Sequence, residues 1–308
     1  MRVVGKRAMP ATHKSFRHRS TIFGGRNMQK IGFQGNHGTF SEIAAIDYFA
    51  SKPIQQIGYP NFVAIMKDIE NHTLDYAVLP VENTTTGIIS RTYDLFKDYP
   101  IHAVGEINVP IRQDLIVVPG TRIEEIKEVY SHPEALSQCQ KFFEAHPWMK
   151  QVPYQDTAKS VEYVKECNDH SKAALGSYRA SEYYHMESLC TSVQDLTTNM
   201  TRFLVITWKE EAVKEANKTS LMLVVKHEPG SLYHVLEILA SNKINMLKLE
   251  SRPIPSRVFE YLFYVDIAAD ARDERVSAIL QQMEKECIEL KVFGSYKAAS
   301  IENIFINK

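Results

Sequence analysis

The order of predicted strands and helices changes once along the chain, and this change limits the possible folds more than any other feature. Residues 29–208 alternate short apolar runs with helical periodicity, which predicts an α/β domain whose strands pair mainly in parallel. Residues 218–298 give the order β-α-β-β-α-β, a ferredoxin-like unit with a four-stranded antiparallel sheet and both helices on one face. A polar stretch, residues 209–218, joins the two parts and is predicted to be helical.

Composition excludes several classes of protein. The 308 residues are 44% hydrophobic and 24% charged, with a net charge of -1, so neither nucleic acid nor an anionic membrane is favoured as a partner. No apolar run approaches the roughly 20 residues of a membrane span. The 4 cysteines lack C-x-x-C spacing, which argues against a zinc site or a redox dithiol and fits a reducing cytoplasm.

Neither end of the chain is predicted to belong to a folded domain. The first 28 residues contain seven Lys or Arg and no Asp or Glu, and they lack the apolar core of a secretory signal. We interpret residues 1–28 as a basic, disordered extension, or as the result of placing the start of translation too early, with Met28 the true initiator. Organelle targeting is the less favoured alternative. Residues 299–308 are expected to be a short tail.

Four polar clusters lie at predicted strand ends, where a parallel sheet presents its ligand site. The first spans residues 35–42 and the second residues 80–87; the third surrounds His132, and the fourth precedes the strand that ends at Ile206. Each cluster taken alone also fits a structural role. The first has a capping-box pattern, the second suits an N-capping loop, a single loop histidine is more often structural, and an arginine can form a surface ion pair.

Together the clusters resemble one family, the prephenate dehydratases. The resemblance is carried in order along the chain by Gly38 to Glu42, by Glu82, Asn83, Thr84 and Gly87, by Ser131 to Pro133 with Gln138 and Cys139, by Asp156 to Ala158, and by Thr201 to Phe203. Glu250 to Pro253 is similar to the phenylalanine-site motif of ACT domains. The likeness covers nearly the whole chain after Met28.

The resemblance implies a fold and a reaction. The catalytic domain would be two-lobed and similar to periplasmic binding proteins, with lobe 1 formed by about 29–108 and 190–208 and lobe 2 by about 109–189; an ACT domain would span residues 218–298. Prephenate would lose its ring carboxylate as CO2 and its ring hydroxyl as water, giving phenylpyruvate. Aromatisation drives this reaction, so no metal and no organic cofactor are implied.

The resemblance also implies a set of site residues. Thr201 is expected to donate a hydrogen bond to the leaving hydroxyl, and Arg202 to counter a substrate carboxylate. The expected catalytic residues are Thr201, Glu82, Asn83 and Gln138. The expected substrate-binding residues are Thr39, Thr84, Thr86, Gly87, Ser131, His132, Asn199, Arg202 and Phe203.

The C-terminal motif implies regulation by L-phenylalanine at an interface between two subunits. The implied ligand site comprises Gly230, Ser231, Leu232, Asn245, Leu247, Glu250, Ser251, Arg252 and Pro253. A homodimer or homotetramer is therefore expected. Two alternatives stay open, an arogenate dehydratase and a non-catalytic amino-acid-binding regulator. The chain departs from the family pattern at Asn36 and His37, at Thr84, and around Ser177 and Tyr183, which affects substrate preference more than reaction type.

Overall fold

The computed structural model describes residues 28–254 and 260–300. Its first part alternates strands and helices. In chain order these are β1 (Gln29–Gln34), α1 (Phe40–Tyr48), β2 (Ile54–Tyr59), α2 (Phe62–Glu70), β3 (Tyr76–Asn83), β4 (Gly87–Ile88), α3 (Ser90–Asp98) and β5 (His102–Pro110). Asn61 caps α2 by accepting a hydrogen bond from the Ala64 amide at 2.9 Å.

The chain then forms a second lobe and returns. The second lobe contains β6 (Asp114–Val117), β7 (Glu128–Ser131), α4 (Pro133–Ser137), α5 (Gln140–Ala145), β8 (Lys150–Pro153), α6 (Thr157–Cys167), β9 (Lys172–Gly176), α7 (Tyr178–Tyr184) and β10 (Glu187–Cys190). β11 (Met200–Thr207) inserts back into the first sheet between β3 and β5. The chain therefore crosses between the lobes twice, and the space between them is bordered by both crossings.

Both sheets of this part are mixed, which corrects the expectation of mainly parallel pairing. In the first sheet, ordered β2-β1-β3-β11-β5, β1 is parallel to β2 and β3, whereas β11 is antiparallel to both neighbours. In the second, ordered β10-β6-β9-β7-β8, β6 pairs antiparallel with β9 and β10. Strand-helix alternation predicts local parallel units but not the direction of a strand that returns from far along the chain.

The C-terminal part confirms the predicted ferredoxin-like order. Its elements are β12 (Lys218–Val225), α8 (Ser231–Ser241), β13 (Met246–Pro253), β14 (Tyr261–Ile267), α9 (Glu274–Glu286) and β15 (Cys287–Tyr296). The sheet order is β13-β14-β12-β15 with antiparallel pairs. Both helices cover one face, where Leu221, Leu223 and Val265 pack against Val235, Leu239 and Ile279.

The other face of the C-terminal sheet packs on the first lobe. Met222 and Phe293 share one buried cluster with Leu79, Phe96 and Leu204 of that lobe. The segment between β11 and β12 is not helical, which corrects the predicted helix over 209–218. No helix among the described residues is long and apolar enough to cross a membrane. The expected extension and tail lie outside the described residues except for Met28, Ala299 and Ser300.

Candidate active site

A pocket of about 280 Å3 lies between the two lobes. Its lining combines strand ends and helix starts from both lobes. The polar lining residues are Ser41, Asn83, Thr86, Gln113, His132, Glu134, Gln138, Asp156, Thr157 and Thr201. The apolar lining includes Phe40, Ile89, Ile111 and Phe203. The pocket therefore unites residues from all four polar clusters of the sequence.

The centre of the pocket is a pair of side chains on neighbouring strands. Asn83 ends β3 and lies directly opposite Thr201 in β11. Asn83 Nδ2 donates a hydrogen bond to Thr201 Oγ1 at 2.9 Å. Asn83 Oδ1 accepts from the backbone amides of Thr85 and Thr86 at 2.9 and 3.1 Å. These two amides fix the orientation of the Asn83 side chain, so its NH2 group must face Thr201.

This arrangement determines what the Thr201 hydroxyl can do. Its oxygen already accepts from Asn83, and this is its one hydrogen bond to the part of the chain that the structure describes. The hydroxyl hydrogen is consequently available to an acceptor in the pocket. Thr201 and Asn83 are both 8% exposed, so a hydrogen bond made there is shielded from bulk water.

A helix break brings Gln138 to the pocket. The sequence predicts one helix from Pro133 through Phe143, but the structure has two, α4 and α5, separated at Gln138 and Cys139. The carboxylate of Asp195 accepts from the first amides of α5, Gln140 N and Lys141 N, each at 3.0 Å. A distant acidic residue therefore starts the second helix, and Gln138 becomes the C-cap of the first.

His132 enters the pocket at the start of α4. The Glu134 amide donates to His132 Nδ1 at 3.2 Å. An accepting Nδ1 places the proton of the neutral ring on Nε2, which is then a donor. Gln138 Nε2 donates to Glu134 Oε1 at 3.1 Å, so Glu134 is held beside the pocket by its neighbour on the next turn.

The described lining of the pocket contains no Lys or Arg. An anion bound there must therefore be held by hydroxyl, amide and imidazole donors and by the amide ends of helices. Two helices of at least nine residues begin at the pocket, α1 with Phe40 and Ser41 and α6 with Thr157. Helix N-termini favour negative charge.

Glu82 and Arg202 do not reach this pocket. They lie opposite each other in β3 and β11, and Arg202 Nη1 is 3.1 Å from Glu82 Oε2. Side chains alternate across a strand, so Glu82 and Arg202 face away from the side that carries Asn83 and Thr201. Arg202 instead meets Glu106 and Asp266. The structure thus corrects the expectations that Glu82 lines the cleft and that Arg202 counters a substrate carboxylate there.

The remaining predicted residues support the pocket in different ways. Asn199 Oδ1 accepts from Asn83 Nδ2 at 2.9 Å, and Thr84 Oγ1 accepts from the Met200 amide at 2.9 Å. Gly87, at φ +79°, turns the chain back after β3. Ser131 is fully buried and donates to the Leu175 carbonyl at 2.8 Å, so it belongs to the second sheet and not to the pocket. Thr86, His132 and Phe203 line the pocket directly.

The first polar cluster joins the lobes beside the pocket. Thr39 caps α1, but Glu42 accepts from the Gly38 amide at 2.7 Å in place of closing the predicted capping box on Thr39. Ser177 of the second lobe donates to the Gly38 carbonyl at 2.6 Å. A β-carbon at Gly38 would lie 2.7 Å from the Ala180 Cα, so only glycine allows this approach.

Sequence reasoning missed several lining residues. Asp156 and Thr157 belong to one of the motifs that carry the family resemblance but were not among the expected site residues, although the helix start that they form faces the pocket. Glu134 follows the Pro133 signal by one residue and was not singled out. Gln113 lies in a segment without a motif, and its backbone N–H donates a 2.9 Å hydrogen bond to Gln194 Oε1. A local pattern could not have identified Gln113, because its partner lies far along the chain.

The residues of the expected phenylalanine site fall in two places. Gly230, Ser231 and Leu232 line a depression of about 490 Å3 between β12 and α8. The other members of the set, Asn245, Leu247, Glu250, Ser251, Arg252 and Pro253, lie on or just before the edge strand β13 and do not line it. Arg252 Nη2 lies 3.5 Å from Asp94 of α3, so this side chain faces the first lobe.

Comparison with known proteins agrees with this geometry. The family model for prephenate dehydratase matches residues 31–211. A bifunctional chorismate mutase/prephenate dehydratase from Aquifex aeolicus is 34% identical over 274 residues, covering 89% of this chain and 75% of that protein. The two-lobed fold with an interlobe pocket, and these matches, define a lyase of aromatic amino acid biosynthesis. The chain belongs to the prephenate dehydratase family.

Two further relatives bear on specificity and regulation. Arogenate dehydratase/prephenate dehydratase 1, chloroplastic, of Arabidopsis thaliana is 33% identical over 284 residues, covering 87% of this chain and 71% of that protein. The crystal structure of a prephenate dehydratase in complex with L-Phe from Arthrobacter aurescens superimposes with a TM-score of 0.79 at 26% identity, covering 87% of this chain and 90% of that one. The predicted family and fold class are confirmed.

Proposed function

We propose that this protein converts prephenate to phenylpyruvate in the pocket between the lobes. The observation that supports this most strongly is the Asn83–Thr201 pair, in which Asn83 Nδ2 donates to Thr201 Oγ1 at 2.9 Å and leaves the hydroxyl hydrogen available to a ligand. In the reaction the bond between the ring and its carboxylate breaks, and CO2 departs. The electron pair of that bond completes the aromatic ring, and the ring C–O bond breaks as hydroxide leaves and takes up a proton.

Thr201 would act on the leaving group. A threonine hydroxyl is a poor acid near neutral pH, so its role is to donate a hydrogen bond that strengthens as negative charge develops on the departing oxygen. The Asn83 amide raises the donor strength of that hydroxyl by hydrogen bonding to its oxygen. Gln138 and His132 Nε2 supply further donors at the opposite wall of the pocket.

The substrate carboxylates would be bound without a cationic side chain. The starts of α1 and α6 present backbone amides, and Ser41 and Thr157 present hydroxyls at the same positions. Such neutral donors bind a carboxylate while keeping the pocket free of a strong positive charge. This matters for the reaction, because a tightly paired ring carboxylate would be slower to leave as CO2.

The test is ultraviolet detection of phenylpyruvate formed from purified protein and prephenate. Steady turnover with a KM in the micromolar to millimolar range is expected. An inert, folded protein would refute the proposal and favour a non-catalytic amino-acid-binding role. A metal chelator is not expected to reduce the rate of phenylpyruvate formation, since the reaction as written uses no metal.

Arogenate is a second candidate substrate on a specific ground. Arogenate carries an ammonium group where prephenate carries a keto group, and the described pocket lining holds two carboxyl side chains, Glu134 and Asp156, with no Lys or Arg. A nearby carboxylate favours an ammonium. Parallel measurements of kcat/KM on prephenate and arogenate decide between them, and the larger value identifies the substrate.

The C-terminal domain would bind L-phenylalanine and lower activity. In support, the Gly230 loop forms an open depression, and the edge strand β13 exposes Leu247 and Leu249 at 48% and 37%. Exposed apolar side chains on an unpaired edge suit a second copy of the chain, whose β13 would complete the site. We therefore expect a homodimer or homotetramer. A cytoplasmic location stays a prediction from composition.

Gly230→Leu tests this regulation. Gly230 has φ +87°, which strains any other residue, and the added side chain would fill the depression, so the phenylalanine concentration for half-inhibition should rise at least about tenfold. Gly120→Leu is the matched control, because Gly120 has φ +84° in another turn with open space around it. Unchanged inhibition in Gly230→Leu, or wild-type activity indifferent to millimolar phenylalanine, would contradict the assignment.

A further inference from the structure

A layer of six charged side chains lies between the first lobe and the C-terminal sheet. Three come from adjacent strands of the first sheet and three from adjacent strands of the C-terminal sheet. We call this set the charged layer: Glu82 in β3, Arg202 in β11 and Glu106 in β5, facing Lys248 in β13, Asp266 in β14 and Lys218 in β12.

Each charged side chain from the first sheet lies against a side chain of opposite charge from the C-terminal sheet. Lys248 Nζ lies 3.0 Å from Glu82 Oε2, Arg202 Nη2 lies 2.7 Å from Asp266 Oδ2, and Lys218 Nζ lies 2.7 Å from Glu106 Oε2. Within the first sheet, Arg202 also bridges both carboxylates, with Nη1 3.1 Å from Glu82 Oε2 and Nε 3.0 Å from Glu106 Oε2. Three cations and three anions therefore form one connected network.

Most of these charges are buried. The side chains of Glu106 and Asp266 are 3% and 2% exposed, and those of Lys248 and Arg202 are 9% and 12% exposed. Burial lowers the pKa of Lys248, opposed by the carboxylate of Glu82. Burial also acts against the charge of Arg202, but Asp266 and its other partners hold the pKa of Arg202 well above its ordinary value.

Apolar packing already joins the C-terminal sheet to the first lobe. Met222, Tyr264 and Phe293 already bury themselves against Phe96 and Leu204. Desolvating three ion pairs is a costly way to add adhesion. The location of the charges is informative, because two of them, Glu82 and Arg202, lie on the strand ends that carry the active-site pair.

In both β3 and β11, a residue of the active-site pair is next in sequence to a residue of the charged layer. Thr201 precedes Arg202 in β11, and Asn83 follows Glu82 in β3, so each member of the active-site pair shares a peptide bond with a member of the charged layer. Lys248 adds a link to β13, the strand that holds much of the expected phenylalanine site. The outward neighbours Leu247 and Leu249 are exposed, while Lys248 reaches inward to Glu82.

We propose that the charged layer is the link through which the C-terminal domain sets the position of Asn83 and Thr201. Lys248, Glu82 and Arg202 are positioning residues in this scheme. A displacement of β13 on ligand binding or subunit pairing changes the Lys248–Glu82 contact and, through Arg202, the alignment of the Thr201 hydroxyl. The link to phenylalanine rests on the proposed function, whereas the mechanical link does not.

Lys248→Met tests whether this lysine positions the active-site pair or only helps to hold the two sheets together. Lys291→Met is its matched control. Lys291 is another lysine of the same sheet that enters the same interface, where it donates to the carbonyls of Phe96, Lys97 and Tyr99 at 2.9, 3.0 and 3.1 Å. These hydrogen bonds tie its ammonium to the end of α3, whereas the ammonium of Lys248 is paired with Glu82 of β3. Both variants remove one interface ammonium and keep the aliphatic chain.

The first readout is hydrogen exchange of the peptide that spans residues 199–206. Faster exchange there in Lys248→Met, with Lys291→Met unchanged from wild type, is the expected result. Adding Glu82→Gln to Lys248→Met should restore part of the protection, because it removes the carboxylate that has lost its lysine partner and is left with Arg202 alone. Equal exchange in both lysine variants would overturn the proposal, whatever the substrate.

The second readout is the response to phenylalanine in the full chain. The concentration for half-inhibition should rise at least about tenfold in Lys248→Met and stay within about twofold of wild type in Lys291→Met. If wild-type protein itself ignores phenylalanine, the proposed regulation fails, and the exchange experiment still decides the mechanical link. A Lys248→Met enzyme with wild-type inhibition and changed exchange would overturn the coupling role.

Discussion

Where β3 and β11 pair at the pocket, the polar side chains on one face are neutral and border an open pocket, whereas those on the other face are charged and face a second sheet. Thr201 stands on the first face and Arg202, the next residue, on the second. Neutral donors can rearrange around a substrate, but buried charges must keep their partners. The strand therefore combines a face suited to chemistry with a face suited to fixing its position.

Removing the central charge should give the largest effect, and it should fall on stability. Arg202→Met leaves Glu82, Glu106 and Asp266 without their shared cation, so the free energy of unfolding should drop by about 3–5 kcal/mol. Urea denaturation followed by circular dichroism measures it. A loss below about 1 kcal/mol would mean that the network is too weak to hold the strand.

Altering the neutral face should reduce activity more than stability. Asn83→Asp replaces the Nδ2 donor by an oxygen, so the Thr201 hydroxyl would donate to the introduced carboxylate in place of the substrate, and kcat should fall about a hundredfold. Stopped assays on prephenate, together with the unfolding midpoint, measure both. A near-normal kcat would mean that the Asn83 amide does not contribute to catalysis.

The acidic wall of the pocket should tune affinity weakly. Glu134 is exposed, so Glu134→Gln should lower the KM for prephenate about two- to threefold and raise that for arogenate, with the difference shrinking in about 0.5 M salt. The ratio of KM values at low and high ionic strength measures this. If the KM values for prephenate and arogenate changed in the same direction, an effect of the Glu134 charge would be excluded.

A smaller effect is expected for the thiol beside Gln138. Burial raises the pKa of Cys139 to about 12, and its side chain is fully buried. Because a thiol reacts as its thiolate, native protein at about pH 8 should show almost no alkylation of Cys139, while the unfolded protein reacts fully. Mass spectrometry of iodoacetamide-treated samples checks this. Rapid native labelling would indicate that the α4–α5 break opens readily.

Part of this architecture could be predicted from the sequence. The β-α-β-β-α-β order predicted the C-terminal sheet, since each element has its own local period. The motifs that contain Asn83, Gln138 and Thr201 pointed to one pocket because strand ends meet at one edge. The side chains of Glu82 and Arg202 could not be assigned to a face from motif membership, because neighbouring strand residues point to opposite sides.

Long-range contacts account for the other differences. β11 lies antiparallel between β3 and β5, and nothing within residues 200–207 encodes that direction. A β-bulge between Arg202 and Phe203 further alters the register against β3. The break at Gln138 depends on Asp195, which caps α5 from a segment far along the chain. Local patterns identified the residues, but tertiary contacts decided their orientation.

The most direct test of the account is kcat at saturating substrate for Thr201→Ser beside Thr201→Val. Serine keeps the hydroxyl, whereas valine keeps the shape and loses the donor, so kcat should fall less than about tenfold for serine and at least about a hundredfold for valine. Thr207→Val, at the far end of β11, should turn over normally. Equal rates for the serine and valine enzymes would contradict a hydroxyl aimed at the leaving group.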